Sequence, residues 1–180
     1  MRWLLPLVLT ATPAFAQTAD PSSTSATYGN WTVTCVQAAD QKICQMVTKL
    51  NLKGNDGQLR PLIEVAIGQP AGGGDLRIVL QVPIDVALRE PVVVSVDAEG
   101  ADPAATPKPQ RDLVAASYFA CVPAGCIADA ALDADSLETL QKVSGMTATF
   151  TTLNGAKKIG VPVALDGFAD AWAALGVATP

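Results

Sequence analysis

Tyr118-Phe119-Ala120-Cys121-Val122-Pro123-Ala124-Gly125-Cys126-Ile127-Ala128-Asp129-Ala130 sets two cysteines around a Val-Pro-Ala-Gly turn, with strand-like apolar residues on both sides. Pro123 presets φ early in the turn, and Gly125 can take the positive φ that closes a tight loop. The stretch predicts a hairpin with Cys121 facing Cys126. Two thiols so placed become a bridge only in a compartment where thiols oxidise. The reading of the N-terminus therefore decides the chemistry of this hairpin.

Met1–Ala16 has the three parts of a secretory signal: Arg2 as basic region, an apolar run from Leu4, and Ala14-Phe15-Ala16 as an A-x-A cleavage site. The apolar run is shorter than the ~20 residues of a spanning helix, and Pro6 and Pro13 interrupt it. No cysteine follows the cleavage site to take a lipid. Cleavage near Ala16 and a periplasmic or secreted, cell-surface location are expected. The rest of the chain suits one domain able to bury a core. The formal net charge of −5 becomes more negative when Arg2 is removed. An acidic chain with no basic run argues against nucleic acid or anionic membrane as main partner. No second apolar stretch approaches spanning length, so no transmembrane segment is expected in the mature chain.

Residues 17–27, rich in Ser, Thr and Ala, are expected to form a disordered linker. A single domain is expected over residues 28–177. Trp31, Val33 and Cys35 alternate with Thr32 and Thr34, and Ile43–Leu50 alternates in the same way. Folding the two about Ala39-Asp40 sets Cys35 opposite Cys44, Val33 opposite Met46 and Trp31 opposite Thr48. Further strands are expected at Leu62–Ile67, Leu76–Val82, Pro91–Val96, Leu113–Cys121, Cys126–Ala130, Met146–Thr151 and Ile159–Leu165. Asn154-Gly155 marks the turn of the last hairpin, and Pro162 places its second strand at an edge or bulge. Gly100–Gln110, with three prolines, reads as an exposed excursion, in which Lys108 and the following Arg111 are solvated charges. A helix over Asp133–Ser144 is capped by Asp133 or Asp135 and ended by Gly145. Asp166 is expected to cap a last helix whose buried stripe is Phe168, Ala171, Trp172 and Leu175. The sum is a mainly β fold: an antiparallel β-sandwich or barrel-like domain with two short α-helices.

The four cysteines, Cys35, Cys44, Cys121 and Cys126, allow three connectivities. Local spacing favours Cys35–Cys44 and Cys121–Cys126, two short loops that stabilise by about 2–3 kcal/mol each in the chain-entropy account. Chemistry is otherwise sparse. The sequence has no histidine, which removes Ser-His-Asp and Cys-His catalysis and the usual ligands of exported zinc hydrolases. Cys121-x4-Cys126 is not the Cys-x-x-Cys of thiol oxidoreductases. Gly72-Gly73-Gly74 lacks the Lys-Ser/Thr ending of a phosphate loop. Asp129, Asp133 and Asp135 cluster, as do Glu90 and Asp97, and glycosidase chemistry needs such pairs. Asp133 and Asp135, however, stand where a helix cap belongs, and aromatics make up only 5%, thin for a sugar-stacking cleft. No catalytic residue, metal or cofactor is expected.

Several stretches taken together resemble a known family. They are Trp31-x3-Cys35 with Cys44 nine residues on, Val82-Pro83-Ile84-Asp85-Val86-x-Leu88, Cys121-x3-Gly125-Cys126, and Val163-x-Leu165-x-Gly167-Phe168-x-x-Ala171. In this order they resemble the invasion-associated locus B family of small exported proteins of Gram-negative bacteria, over about residues 28–176. The resemblance implies a β-rich periplasmic or surface-associated protein of the cell envelope, with a name tied to host-cell entry and no catalytic residues to carry over. Two departures stand out. Asp85 replaces the family's usual Gly after the Pro-containing turn, and Glu99–Arg111 is expanded ahead of Ser117-Tyr118, where the family is shorter and often reads Pro-Tyr. A role for that loop in partner binding is therefore not carried over.

The resulting expectation is a non-enzymatic exported protein that binds an unknown protein or envelope component. The alternatives are a histidine-independent periplasmic hydrolase using paired carboxylates and a periplasmic thiol-exchange protein. N-terminal mass analysis of the protein from native envelope should find Gln17, free or cyclised, as the first residue. Retention of Met1 would overturn the assignment of compartment.

Overall fold

The structure is a computed structural model and describes residues 23–38, 41–98 and 109–176. The elements are β1 (Ser23–Tyr28), β2 (Trp31–Ala38), β3 (Gln41–Lys53), β4 (Leu59–Gly68), β5 (Arg77–Val82), β6 (Val92–Asp97), β7 (Gln110–Val122), β8 (Gly125–Ala131), α1 (Ala134–Lys142), β9 (Gly145–Thr151), β10 (Lys158–Ala164) and α2 (Phe168–Leu175). The ten strands make one open array in the order β1-β2-β3-β4-β5-β8-β7-β6-β9-β10, with every pair antiparallel. Mainly β, with two helices and two local disulfides, is thus the observed class. The signal over residues 1–16, the Ala39-Asp40 turn and residues 100–108 of the excursion, Lys108 among them, lie outside the described residues.

β1 is the strand that the sequence does not announce. Residues 23–27 fall in the expected linker, yet Ser23–Tyr28 pairs along its length with β2. Ser-Thr-Ser-Ala-Thr has no apolar period because the strand buries little. It is held by backbone hydrogen bonding to β2, which burial patterns do not report.

The first hairpin has the expected register, Val33 opposite Met46 and Cys35 opposite Cys44. Its inward residues Trp31, Val33, Cys35 and Met46 are all buried. In β4 and β5 the alternation Ile63-Val65-Ile67 and Ile78-Leu80-Val82 faces the same core. β7 turns the array. Its first part pairs with β6 and its last part with β8, and its register slips once against each. Leu113 and Phe119 are the extra residues. Such bulges bend a strand and raise its local twist, which lets one strand serve both halves of the array.

Each helix departs from expectation at one end, α1 at its C-terminus and α2 at its N-cap. Asp133 caps α1 by accepting a 2.7 Å bond from the Ser136 N–H, and that bond holds its carboxyl below the usual carboxylate range. The helix stops at Lys142, short of the expected Ser144. The Ser144 carbonyl is taken by the Leu165 N–H (3.0 Å), and Gly145 opens β9 instead of terminating the helix. Strand pairing has overridden helix propensity there.

At α2 the cap is Gly167 at φ 78°, with no side-chain capping bond, and not Asp166. Asp166 contributes its backbone, its carbonyl accepting from the Asn30 N–H at 3.1 Å. A Cβ on Gly167 would stand 2.1 Å from the Tyr28 carbonyl oxygen, so only glycine allows the β1–β2 turn to seat here.

Phe168, Ala171, Trp172 and Leu175 are buried as the periodicity requires. Trp172 is 8% exposed. Trp172→Ala should therefore cost about 3–5 kcal/mol in denaturant melts, as large-to-small core changes do. A loss under about 1 kcal/mol would place the indole outside the core.

Tyr118 supplies a second test. Its hydroxyl is buried without a hydrogen-bond partner among the described residues, and burial pushes the phenol up from 10.0 to about 12. Tyr118→Phe removes an unsatisfied group and should be neutral or stabilising by up to about 1 kcal/mol. The sign at high pH follows from the raised value. Above pH 10 the unfolded phenol ionises while the folded one keeps its proton, so the wild type loses stability as pH rises towards 12. The Phe variant should lose less over the same window.

Candidate functional site

The four cysteines form the two local bridges, Cys35–Cys44 and Cys121–Cys126, with Cα–Cα distances of 4.0 Å each. The strand registers place them at opposite ends of the array. Gln45 pairs with Gly68 and Gly68 with Arg77, whereas Val82 pairs with Cys126. Cys44 therefore lies towards the Arg77 end of β5, and Cys126 lies at the Val82 end.

The Val82 end is where large apolar side chains face solvent. Exposed large hydrophobics among the described residues are Leu52, Leu59, Ile84, Leu88, Phe119, Val122, Leu153 and Val36. Val36 lies beside the first bridge. Leu52 and Leu59 flank the β3–β4 turn, Ile84 and Leu88 follow β5, and Phe119 and Val122 close β7, all towards the second bridge. Leu153 joins them through the contacts of the loop after β9.

That end is held by hydrogen bonds. The Asp85 carbonyl accepts from the Leu153 N–H at 3.1 Å, and its carboxylate accepts from Asn154 Nδ2 at 3.1 Å. Val86 bridges to Thr152, and the Ala87 N–H donates to the Thr151 carbonyl at 2.9 Å. On the other side, Gln81 Nε2 donates to the Ala124 carbonyl at 3.2 Å. Cys126 Sγ lies 3.9 Å from the Ile84 carbonyl oxygen, a packing contact since a disulfide sulfur has no proton to give. A Cβ on Gly125 would stand 2.4 Å from the Val82 carbonyl oxygen. Glycine is required there by the approach of β5 more than by the turn itself. The chain thus presents Ile84 and Leu153, each 64% exposed, from loops that are tied to each other and to the bridged hairpin.

Three of the carboxylates that cluster in the sequence have structural partners. Asp129 is bound to Arg77 Nε at 2.5 Å, and Asp133 caps α1. Glu90 accepts from Thr151 Oγ1 at 2.7 Å, and Asp135 sits in the first turn of α1. Trp31 and Trp172 are buried and offer no ligand surface. No cluster of three acidic, Cys or His side chains is placed to hold a metal ion among the described residues. The Gly72-Gly73-Gly74 loop joins β4 to β5 and precedes no helix.

Sequence reasoning located the turns of this end but not its surface. Phe119 falls on the outward face of β7 with Ala115 and Ser117, and it is also the residue at which pairing with β8 slips. A signal was present: Ile84, Val122 and Leu153 each stand directly beside a turn residue, Pro83, Pro123 and Asn154, where burial is hard to arrange.

Comparison with known proteins agrees with this architecture. The family described as Invasion associated locus B (IalB) protein matches residues 31–176. Invasion protein B homologs of Brucella abortus, from strain 2308 and from biovar 1 strain 9-941, are each 25% identical over 147 residues, covering 82% of this chain and 76% of theirs. The crystal structure of invasion associated protein b from Bartonella henselae shares the fold, with a TM-score of 0.65 and 24% identity, covering 84% of this chain and 94% of that one. With its first tryptophan strand, both bridged hairpins and the closing helix all inside the matched span, the chain belongs to the invasion-associated locus B family.

Proposed function

We propose that the chain is a non-enzymatic, exported envelope or surface protein that binds a protein or envelope component at its Val82 end. The observation that carries this reading is that Ile84, Leu88 and Leu153 are exposed on two loops tied together by the Leu153–Asp85 and Ala87–Thr151 backbone hydrogen bonds. An apolar surface that is already ordered binds with a smaller ordering cost, and exposed apolar clusters mark interaction sites. The engagement of Asp129, Asp133 and Glu90 in ion pairs, caps and hydrogen bonds supports a role without catalysis.

Export is supported by the two bridges, which persist in oxidising compartments, and by the family. No helix among the described residues is long and apolar enough to cross a membrane. A link to host-cell entry rests on the names of the relatives in Brucella and Bartonella.

A photo-crosslinking side chain at Ile84 or Leu153, activated in the native envelope, should capture a discrete species that the same group at Val36 does not. Ile84→Asp combined with Leu153→Asp should abolish the capture from a probe at Leu88 while leaving the melting temperature within the range of surface substitutions. Equal capture from Val36, or capture that survives the double substitution, would move the binding site elsewhere.

A further inference from the structure

The two edges of the array are built differently. β10 carries Lys158 and Pro162, and proline removes a backbone donor that an added strand would use. β1 has neither charge nor proline, and its register with β2 runs unbroken from Ser23 to Tyr28. It lies inside the longest uncharged stretch of the chain, Pro21–Ala39. An edge without such guards is a template for another strand.

We propose that this edge pairs with itself: two copies of the chain associate through antiparallel β1–β1 pairing about a two-fold axis at Ala26. The inference goes beyond the binding role of the Val82 end and does not depend on it. Antiparallel meeting of identical edges is isologous, so the surface that is presented is also the surface that is received. The formal charge of −5 makes copies repel each other, and the repulsion is least where the approaching segments carry no charge.

The pleat fixes the register. Thr24, Ala26 and Tyr28 stand opposite Cys35, Val33 and Trp31, whose side chains face the core. Centring the axis on Ala26 keeps this face of both copies on one side. Ala26 then meets its own equivalent, and Thr24 meets the partner's Tyr28. A hollow of about 150 Å³ lies beside Thr24, lined also by Ala26, Tyr28, Val33, Cys35, Lys42 at its β3 side and, from α2, Ala174. The partner's Tyr28 ring would enter it. Ser25 and Thr27 pair on the opposite, polar face.

Sedimentation equilibrium of the chain from Gln17 to Pro180 tests the pairing, over about 1 to 200 μM. A reversible shift towards twice the monomer mass is expected. Ala26 is exposed. Ala26→Lys and Ala26→Glu should therefore each keep the melting temperature and each weaken the dimer by at least about tenfold, because like charges face each other across the axis. Mixing the two variants should restore the dimer as a heterodimer, an outcome that a merely structural role for Ala26 does not produce. A wild-type chain that stays monomeric throughout, a dimer that survives both substitutions, or a mixture that fails to recover would each overturn the proposal.

Discussion

The fold depends on the seating of Trp31. Its ring is fully buried and meets Phe168 edge-on at 5.1 Å, and its Nε1 donates to the Ala164 carbonyl at 3.3 Å. Edge-to-face aromatic pairs add about 0.5–1.5 kcal/mol beyond their buried area. More is at stake than the pair energy. Trp31 begins β2 near one end of the strand order, while Ala164 and Phe168 belong to β10 and the helix after it, at the other. No backbone ladder joins β1 to β10. Trp31, with the Asn30–Asp166 bond and the Tyr28–Gly167 contact, is what draws an open array around a common core.

Much of this was legible, and the rest was not for identifiable reasons. Alternation announced nine strands because each buries one face. It missed β1, of which only Tyr28 is partly buried and whose stability comes from hydrogen bonds that leave no apolar pattern. The first hairpin register could be read because shifting it by one residue would expose Val33, Cys35 and Met46 together. Helix ends were read less well. Asp166 looks like a cap in isolation, but the close approach of Tyr28 demands a glycine, and Gly167 takes the position. The bulge at Phe119 is invisible in the sequence because it is a slip in the pairing of β7 with β8, which burial alternation does not report.

The candidate site follows the same division. Both bridges could be inferred from the local spacing of Cys35, Cys44, Cys121 and Cys126, since their pairing partners are neighbours along the chain. The apolar end could not, because it is assembled from four separate turns. Asp85 shows the difference well. As a letter it is a departure from the family's usual glycine. In the fold it ties the loop after β5 to the loop after β9 through both its carbonyl and its carboxylate.

The contacts made by Trp31 also bear on the order in which the molecule can be completed. Ribosomes deliver the N-terminus first, so Trp31 is available long before Phe168. Both disulfides close loops of sequence separation 9 and 5, so each needs only its own hairpin and an oxidising compartment to form. The core cannot close at that stage. It waits for residues near the C-terminus, and contacts between such distant segments are the slow ones in folding. A chain bridged at both hairpins would still lack the indole's partner until its last residues are in place. Loss of even the final helix would leave the first strands with nothing to seat against.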